Sequence, residues 1–243
     1  MKKPSGQNHP LTAVLAVILL FTGCLVSARE TLPDSLVKVR LAAIRQTLER
    51  GKPNAGRWWT GWLIGYGAAT VGQGVVYATS RDKRTRQDMA LGAATTGLGV
   101  IGQLLTPMIP ADAPDRLAVL SEANPEERMN KLSAAETLLK QCAAREKEGR
   151  SWKIHAITGA VNLGSGLVAW LGFRRCMGDG IANFALNTLI TEAQIWTQPT
   201  RAVRDYDDFL RRHPSTARSD DRPNKIYWSV NAVPGGVGIS IHL

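Results

Sequence analysis

The sequence predicts a mainly α-helical protein: a tandem duplication of a three-helix unit, each unit an amphipathic helix plus a glycine-rich helical hairpin, with a C-terminal β-hairpin. Three observations predict it: a set of residues that recurs about 92 positions later, helical apolar periodicity ahead of each glycine-rich stretch, and apolar alternation confined to the last eighteen residues.

The chain opens with Lys2 and Lys3, a polar stretch and an apolar run over 11–21, which reads as a signal peptide over 1–28. Two cleavage readings compete. Val26, Ser27 and Ala28 suit an ordinary signal peptidase, whereas Phe21, Thr22, Gly23 and Cys24 resemble a lipobox, which would place cleavage after residue 23 and make Cys24 a lipidation candidate. Either places the mature chain outside the cytoplasm. The formal charge is +10, and loss of Lys2 and Lys3 leaves 28 basic against 20 acidic residues, or +8. In an exported protein that basic surface points to a membrane or anionic lipid, with no nucleic acid expected. Of the three cysteines, Cys142 and Cys176 fall at different heights of the expected helices, which argues against a bridge between them.

The first unit is placed over 30–110 and the second over 122–200. Glu30, Pro33 and Asp34 recur as Glu122, Pro125 and Glu126; Gly56, Arg57 and Trp59 recur as Gly149, Arg150 and Trp152. The sharpest match sets Gly67, Gly72 and Gly74 against Gly159, Gly164 and Gly166, and Thr106 and Pro107 return as Thr197 and Pro199. Proline followed by an acid is a helix start. In the first unit Leu36, Val39, Ala43, Ile44 and Leu48 form an apolar stripe; in the second Met129, Leu132, Ala135, Leu139 and Ala143 do so.

Each amphipathic helix should be followed by two apolar arms, over 58–80 and 89–109 in the first unit and 154–173 and 177–196 in the second. Charged turns at 81–86 and 174–175 separate the arms. Glycine costs about 1 kcal/mol relative to alanine within a helix, so close approach between helices is the expected compensation, with Gly67, Gly72, Gly74, Gly159, Gly164 and Gly166 as the packing positions. The arms 58–80 and 89–111 are long enough to cross a bilayer, and Trp58, Trp59, Trp62, Trp152 and Trp196 fall where an interfacial belt would lie. Against insertion stand Gln73, Gln103, His155 and the polar drift of the second hairpin, a candidate cluster of Asn162, Asn183, Asn187 and Glu192. A soluble helical bundle is the alternative. The cluster is expected either to line a wet cavity, with Glu192 meeting a basic group, or to lie at the bundle surface.

Beyond the second unit, 201–225 reads as a charged linker with a short helix near 203–212, and 226–243 as a β-hairpin turning at Pro234, Gly235 and Gly236. The four histidines are scattered, and neither a nucleophile elbow, a Walker loop nor a zinc motif occurs. No catalytic, cofactor-binding or metal residue is nominated, and an enzyme is not expected. The expected function is that of a structural or interaction (scaffold) protein of the bacterial cell envelope, at the outer membrane or the periplasmic face of the inner membrane. Another envelope protein or self-association is its expected partner. The alternative is a small transporter or pore component built from two parallel repeats.

Overall fold

The computed structural model describes residues 32–214 and the backbone of 227–233 and 236–242. The expected signal segment, Cys24 and most of the 213–226 stretch fall outside the described residues, as do the side chains of the expected terminal hairpin. The described chain is mainly helical: α1 Asp34–Thr79, α2 Lys83–Leu105, a 3-10 turn Ile109–Ala111, α3 Ala113–Ala118, α4 Pro125–Gly149, α5 Trp152–Leu167 with a π turn Val168–Gly172, α6 Met177–Thr197 and α7 Arg201–Arg212.

The first unit departs from expectation, because its amphipathic helix and first hairpin arm are one helix of 46 residues. At 1.5 Å per residue it is about 70 Å long. Pro53 lies inside it and removes one backbone donor. The surroundings brace that turn: Lys52 Nζ reaches Asp115 Oδ1 at 2.6 Å, and Arg57 donates to the Pro53 carbonyl at 3.2 Å and to Asn54 Oδ1 at 2.6 Å. In the second unit the helix does break, between Gly149 and Trp152, where Arg150 donates to the carbonyls of Ile195 and Trp196.

The apolar core joins the first half of α1 to α3, α4 and α7. Val37, Leu41, Ile44, Leu48 and Ala55 are buried at alternating steps of four and three or their sum, the seam of a packed helix pair. This seam is rotated from the stripe expected, since Leu36 and Val39 are exposed. On α4 the buried set is Leu132, Ala135, Leu138, Leu139, Cys142 and Ala143. The start of α4 is fixed by Asn124, whose side chain accepts from Glu127 N at 2.9 Å while Glu127 reaches back to Ala123 N at 2.9 Å.

Two parts of this core lie outside the expected units, and the second, α7, is the short helix expected within the charged linker 201–225. Helix α3 buries Ala113, Pro114 and Leu117, and α7 packs Phe209 on the bundle with the Arg40 guanidinium 5.0 Å from its ring. The charge-rich sequence of α7 concealed one narrow apolar edge, Ala202 and Phe209. The helix is held at its start by Glu146, which is buried on α4 and accepts from the backbone N–H groups of Ala202 and Val203 at 2.7 and 3.3 Å. Burial pushes the Glu146 carboxyl up to about 7.

Beyond the core project two hairpins, α1 with α2 and α5 with α6. Both turn at the same end, where their tips are joined by ion pairs. The turn expected over 81–86 is shorter: Asp82 accepts from Thr85 N at 2.7 Å and starts α2 at Lys83, so Arg84 and Arg86 sit in its first turn.

Candidate functional site

The feature that calls for an explanation is the inside-out polarity of the hairpins. Their outward faces are apolar: Ile64, Val71 and Val75 on α1, Ile101 and Leu104 on α2, Leu163 and Leu171 on α5 and its π turn, and Ile181, Leu186 and Leu189 on α6 are all exposed, Leu104 to 56% and Leu189 to 68%. The polar side chains face inward. Gln103 and Asn162 are only 3% exposed.

Inside the first hairpin, Thr70 Oγ1 meets Thr96 Oγ1 at 2.8 Å, and Thr96 meets Gln73 Oε1 at 3.0 Å. Gln103 also faces inward, and its main-chain carbonyl accepts from Trp59 Nε1 at 3.0 Å. The second hairpin holds the candidate polar cluster, and its members fall into three groups. Asn162 Nδ2 donates to Thr191 Oγ1 at 2.9 Å; Ser165 Oγ donates to Asn183 Oδ1 at 2.6 Å, and Asn187 Nδ2 to the same two residues at 3.2 and 3.1 Å; Glu192 lies 2.9 Å from His155 Nδ1 and accepts from Trp196 Nε1 at 3.0 Å. Glu192 thus faces a histidine, and the asparagines join α5 to α6. Polar groups paired between arms and apolar groups turned outward are what a hydrocarbon surrounding requires, because lipid supplies no hydrogen-bond partner.

Dimensions agree with that surrounding. α2, α5 with its π turn, and α6 contain 23, 21 and 21 residues. At 1.5 Å each they are about 31 to 35 Å long, against about 30 Å for a bilayer core. Among the described residues one helix, Trp152–Gly172, is long and apolar enough to cross a membrane. The arm 58–79 and α2, expected to qualify, carry too much glycine, threonine and glutamine.

At the core end of the hairpins the indoles gather. Trp58 and Trp62 both donate to Thr197 Oγ1, at 3.2 and 3.3 Å, joining the two hairpins, and Arg150 lies 5.4 Å above the Trp196 ring. Tyr66 Oη donates to Gln194 Oε1 at 2.8 Å one turn deeper. At the opposite end Arg84 pairs with Asp179 at 2.8 Å and Arg175 with Asp88, and Arg86 sits over the Tyr77 ring at 4.8 Å. An aromatic level at one end and arginines at the other bracket the apolar faces.

The glycines do not act as expected. A Cβ at Gly67, Gly72, Gly74, Gly159 or Gly164 would meet nothing within 4 Å, so these five do not pack helices within the chain. Gly166 does, against the Gly180 carbonyl, which lies 2.7 Å from where its Cβ would stand. Gly180 returns the contact to Gly166, and Gly92, Gly99 and Gly149 make further close approaches, to Gln73, to the Tyr66 ring and to Gln198. Repeat spacing marked where glycine occurs; helix phase decides which way it faces.

Between the hairpins lies a groove of about 560 Å³. Leu98, Leu105, Ile157, Val161 and Ile190 form its walls, and Asn162, Asn187 and Thr191 its floor. Arg145 stands at its core end, donating to the carbonyls of Pro107 and Thr106 at 3.2 and 2.8 Å. No group of three or more metal-ligating side chains occurs among the described residues. Cys142 is buried and Cys176 exposed, both free, and burial pushes the Cys142 thiol up to about 12. Fold and site define a helical protein with two outward-apolar hairpins on a water-compatible helical base. No protein-family model matches the chain, and neither a curated protein nor a solved structure matches it.

Proposed function

We propose that the chain is an exported structural protein of the bacterial cell envelope whose two hairpins insert in a membrane while the α1, α3, α4 and α7 base stands in the aqueous phase beside it. One observation carries this reading: large apolar side chains face out along all four hairpin arms while the polar ones pair between arms. In water that arrangement wastes the hydrophobic effect, at about 25 cal/mol for each Å² left wet. The tip arginines then meet phosphate head groups, and the indoles lie at the other interface.

The scaffold role rests on surfaces left open. Gly61, Gly65 and Gly72 present bare backbone on the outward face of α1, a surface suited to packing a neighbouring helix, from another envelope protein or a second copy. The terminal hairpin, with Trp228 opposite Ile241 and Ser229 opposite Ser240, would offer a strand edge to a partner. A small transporter component is the alternative, and it would require a polar path where the groove between the hairpins is apolar-walled.

Duplication is part of the proposal. Arg84 and Asp88 carry to Arg175 and Asp179 at a shift of 91, so the pairs Arg84–Asp179 and Arg175–Asp88 exchange with one another. Thr70 and Thr96, hydrogen-bonded at 2.8 Å, carry at a shift of 92 to Asn162 and Thr188, 3.4 Å apart. Fractionation with alkaline carbonate washing, on wild type and Cys24→Ala, tests the reading. Retention of both supports inserted hairpins; release of the variant alone means a lipid-tethered bundle, and release of both removes the membrane.

A further inference from the structure

We infer that the groove between the hairpins is a binding site for one phospholipid, an acyl chain filling the apolar slot and the phosphate lying at Arg145. The inference rests on the membrane reading for its lipid source, but the slot itself is fixed by contacts within the chain. Trp58, Trp62 and Tyr66 join the hairpins at the core end through Thr197 and Gln194, and Arg84 and Arg175 join the tips. Held at both ends, the hairpins stay apart in between.

Volume selects the occupant. A helix of ~10 Å diameter fills 560 Å³ in about 7 Å of its length, roughly five residues, so the slot suits a thinner occupant better than a whole helix. A methylene takes about the space of a water, ~30 Å³, so a chain of sixteen carbons needs roughly 480 Å³ and does fit. The walls suit it, with Leu98, Leu105, Ile157, Val161 and Ile190 facing the slot.

Charge selects the head group. Arg145 is half-buried at the core end, its two hydrogen bonds go to carbonyl oxygens, and it makes no ion pair among the described residues. Burial lowers its affinity for the proton, and the nearby carboxylates Glu148 and Glu146 offset this only in part. A phosphate oxygen beside the guanidinium would complete that pairing. The position also matches the aromatic level, where head groups meet acyl chains.

Gly102 lines the slot, and a Cβ there would meet nothing within 4 Å, so Gly102→Leu plugs the groove without displacing the chain. The full chain, purified in dodecyl maltoside with dioleoyl-phosphatidylglycerol or dioleoyl-phosphatidylcholine, is examined by native mass spectrometry. Wild type should hold one lipid and prefer phosphatidylglycerol. Gly102→Leu should hold it about tenfold less well, the loss of two methylene contacts or more, whereas Gly72→Leu, on the outward face, should hold it as wild type does. Arg145→Gln should keep the lipid and lose the preference. Ile157→Trp is a second plug on the opposite wall, and Cys142 must stay unreactive in both plugged variants, which reports an intact base. Equal retention by wild type and both plugged variants, or no lipid on wild type, overturns the site; an unchanged preference in Arg145→Gln overturns its head-group half. A wild-type chain released by carbonate but still holding one lipid sinks the membrane reading and keeps the site, whereas a carbonate-resistant chain without lipid does the reverse.

Discussion

Glu146 offers a perturbation whose size and sign follow from the structure. Its carboxylate is 2% exposed and takes two backbone N–H bonds at the start of α7, and burial raises it from 4.5 to about 7. Between those values the folded chain keeps a proton that the unfolded chain has lost. Stability therefore falls as pH rises from 4.5 through 7, by at most about 3 kcal/mol, at 1.36 kcal/mol for each tenfold change in proton affinity. His213 works in the opposite sense, since burial and the nearby Arg40 and Arg212 lower it. Comparison with Glu146→Gln removes that contribution, because His213 is common to both proteins. The amide oxygen can still accept from Ala202 N, so Glu146→Gln should match or exceed wild type at pH 8 and should lose the downward slope. Glu146→Ala, which strands two N–H groups, should cost about 1 to 3 kcal/mol at every pH. Cys142 lies one turn from Glu146 and is fully buried, so its labelling by a maleimide reports opening of the base. The rate should be normalised at each pH to that of the urea-unfolded chain. A parallel pH dependence in wild type and Glu146→Gln would refute the assignment.

Further predictions concern the core, the caps and the tips. Leu41→Ala, at a side chain 3% exposed, should destabilise the base by about 2 to 5 kcal/mol in urea unfolding followed by Cys142 labelling. Asp82→Ala removes the side chain that accepts from Thr85 N and should speed hydrogen exchange in the first turn of α2. Loss of Arg84 and Arg175 together should cost no more than about 2 kcal/mol yet widen the distribution of distances between spin labels at Tyr77 and Met177, because each partly exposed pair contributes little to stability. In the folded chain Cys176 should react with a maleimide within minutes while Cys142 stays protected, and no bridge between them should form under oxidation.

Much of the framework was legible in the chain. The starts at Pro125 and Glu126, the hairpin turn at Arg174 and Arg175 and the gathering of tryptophans follow from local chemistry that one sequence displays. What failed depended on helix phase and on tertiary support. Pro53 and the glycines around it signal a break, but Lys52 and Asp115 brace that turn, and nothing local announces a partner 63 residues away. The glycine period identified equivalent positions without saying which way they face, and five of the six selected look outward. Helix α7 is legible as a short helix near 203–212, but its docking is not, because that rests on Phe209 and on Glu146, a carboxylate that pattern reading assigns to the surface. The polar drift over 155–192 is visible in the sequence, but its division into three bonded groups depends on the pairing of α5 with α6.

The central claim is that the outward faces of the hairpins meet hydrocarbon. Its most direct test places single spin labels at Val71, Leu189 and, as a base reference, Leu36, in a Cys176→Ser background reconstituted in phosphatidylcholine and phosphatidylglycerol vesicles, with collisional relaxation by oxygen and by a water-soluble nickel chelate. The account predicts oxygen-dominated relaxation at Val71 and Leu189 and nickel-dominated relaxation at Leu36; nickel-dominated relaxation at all three would contradict it.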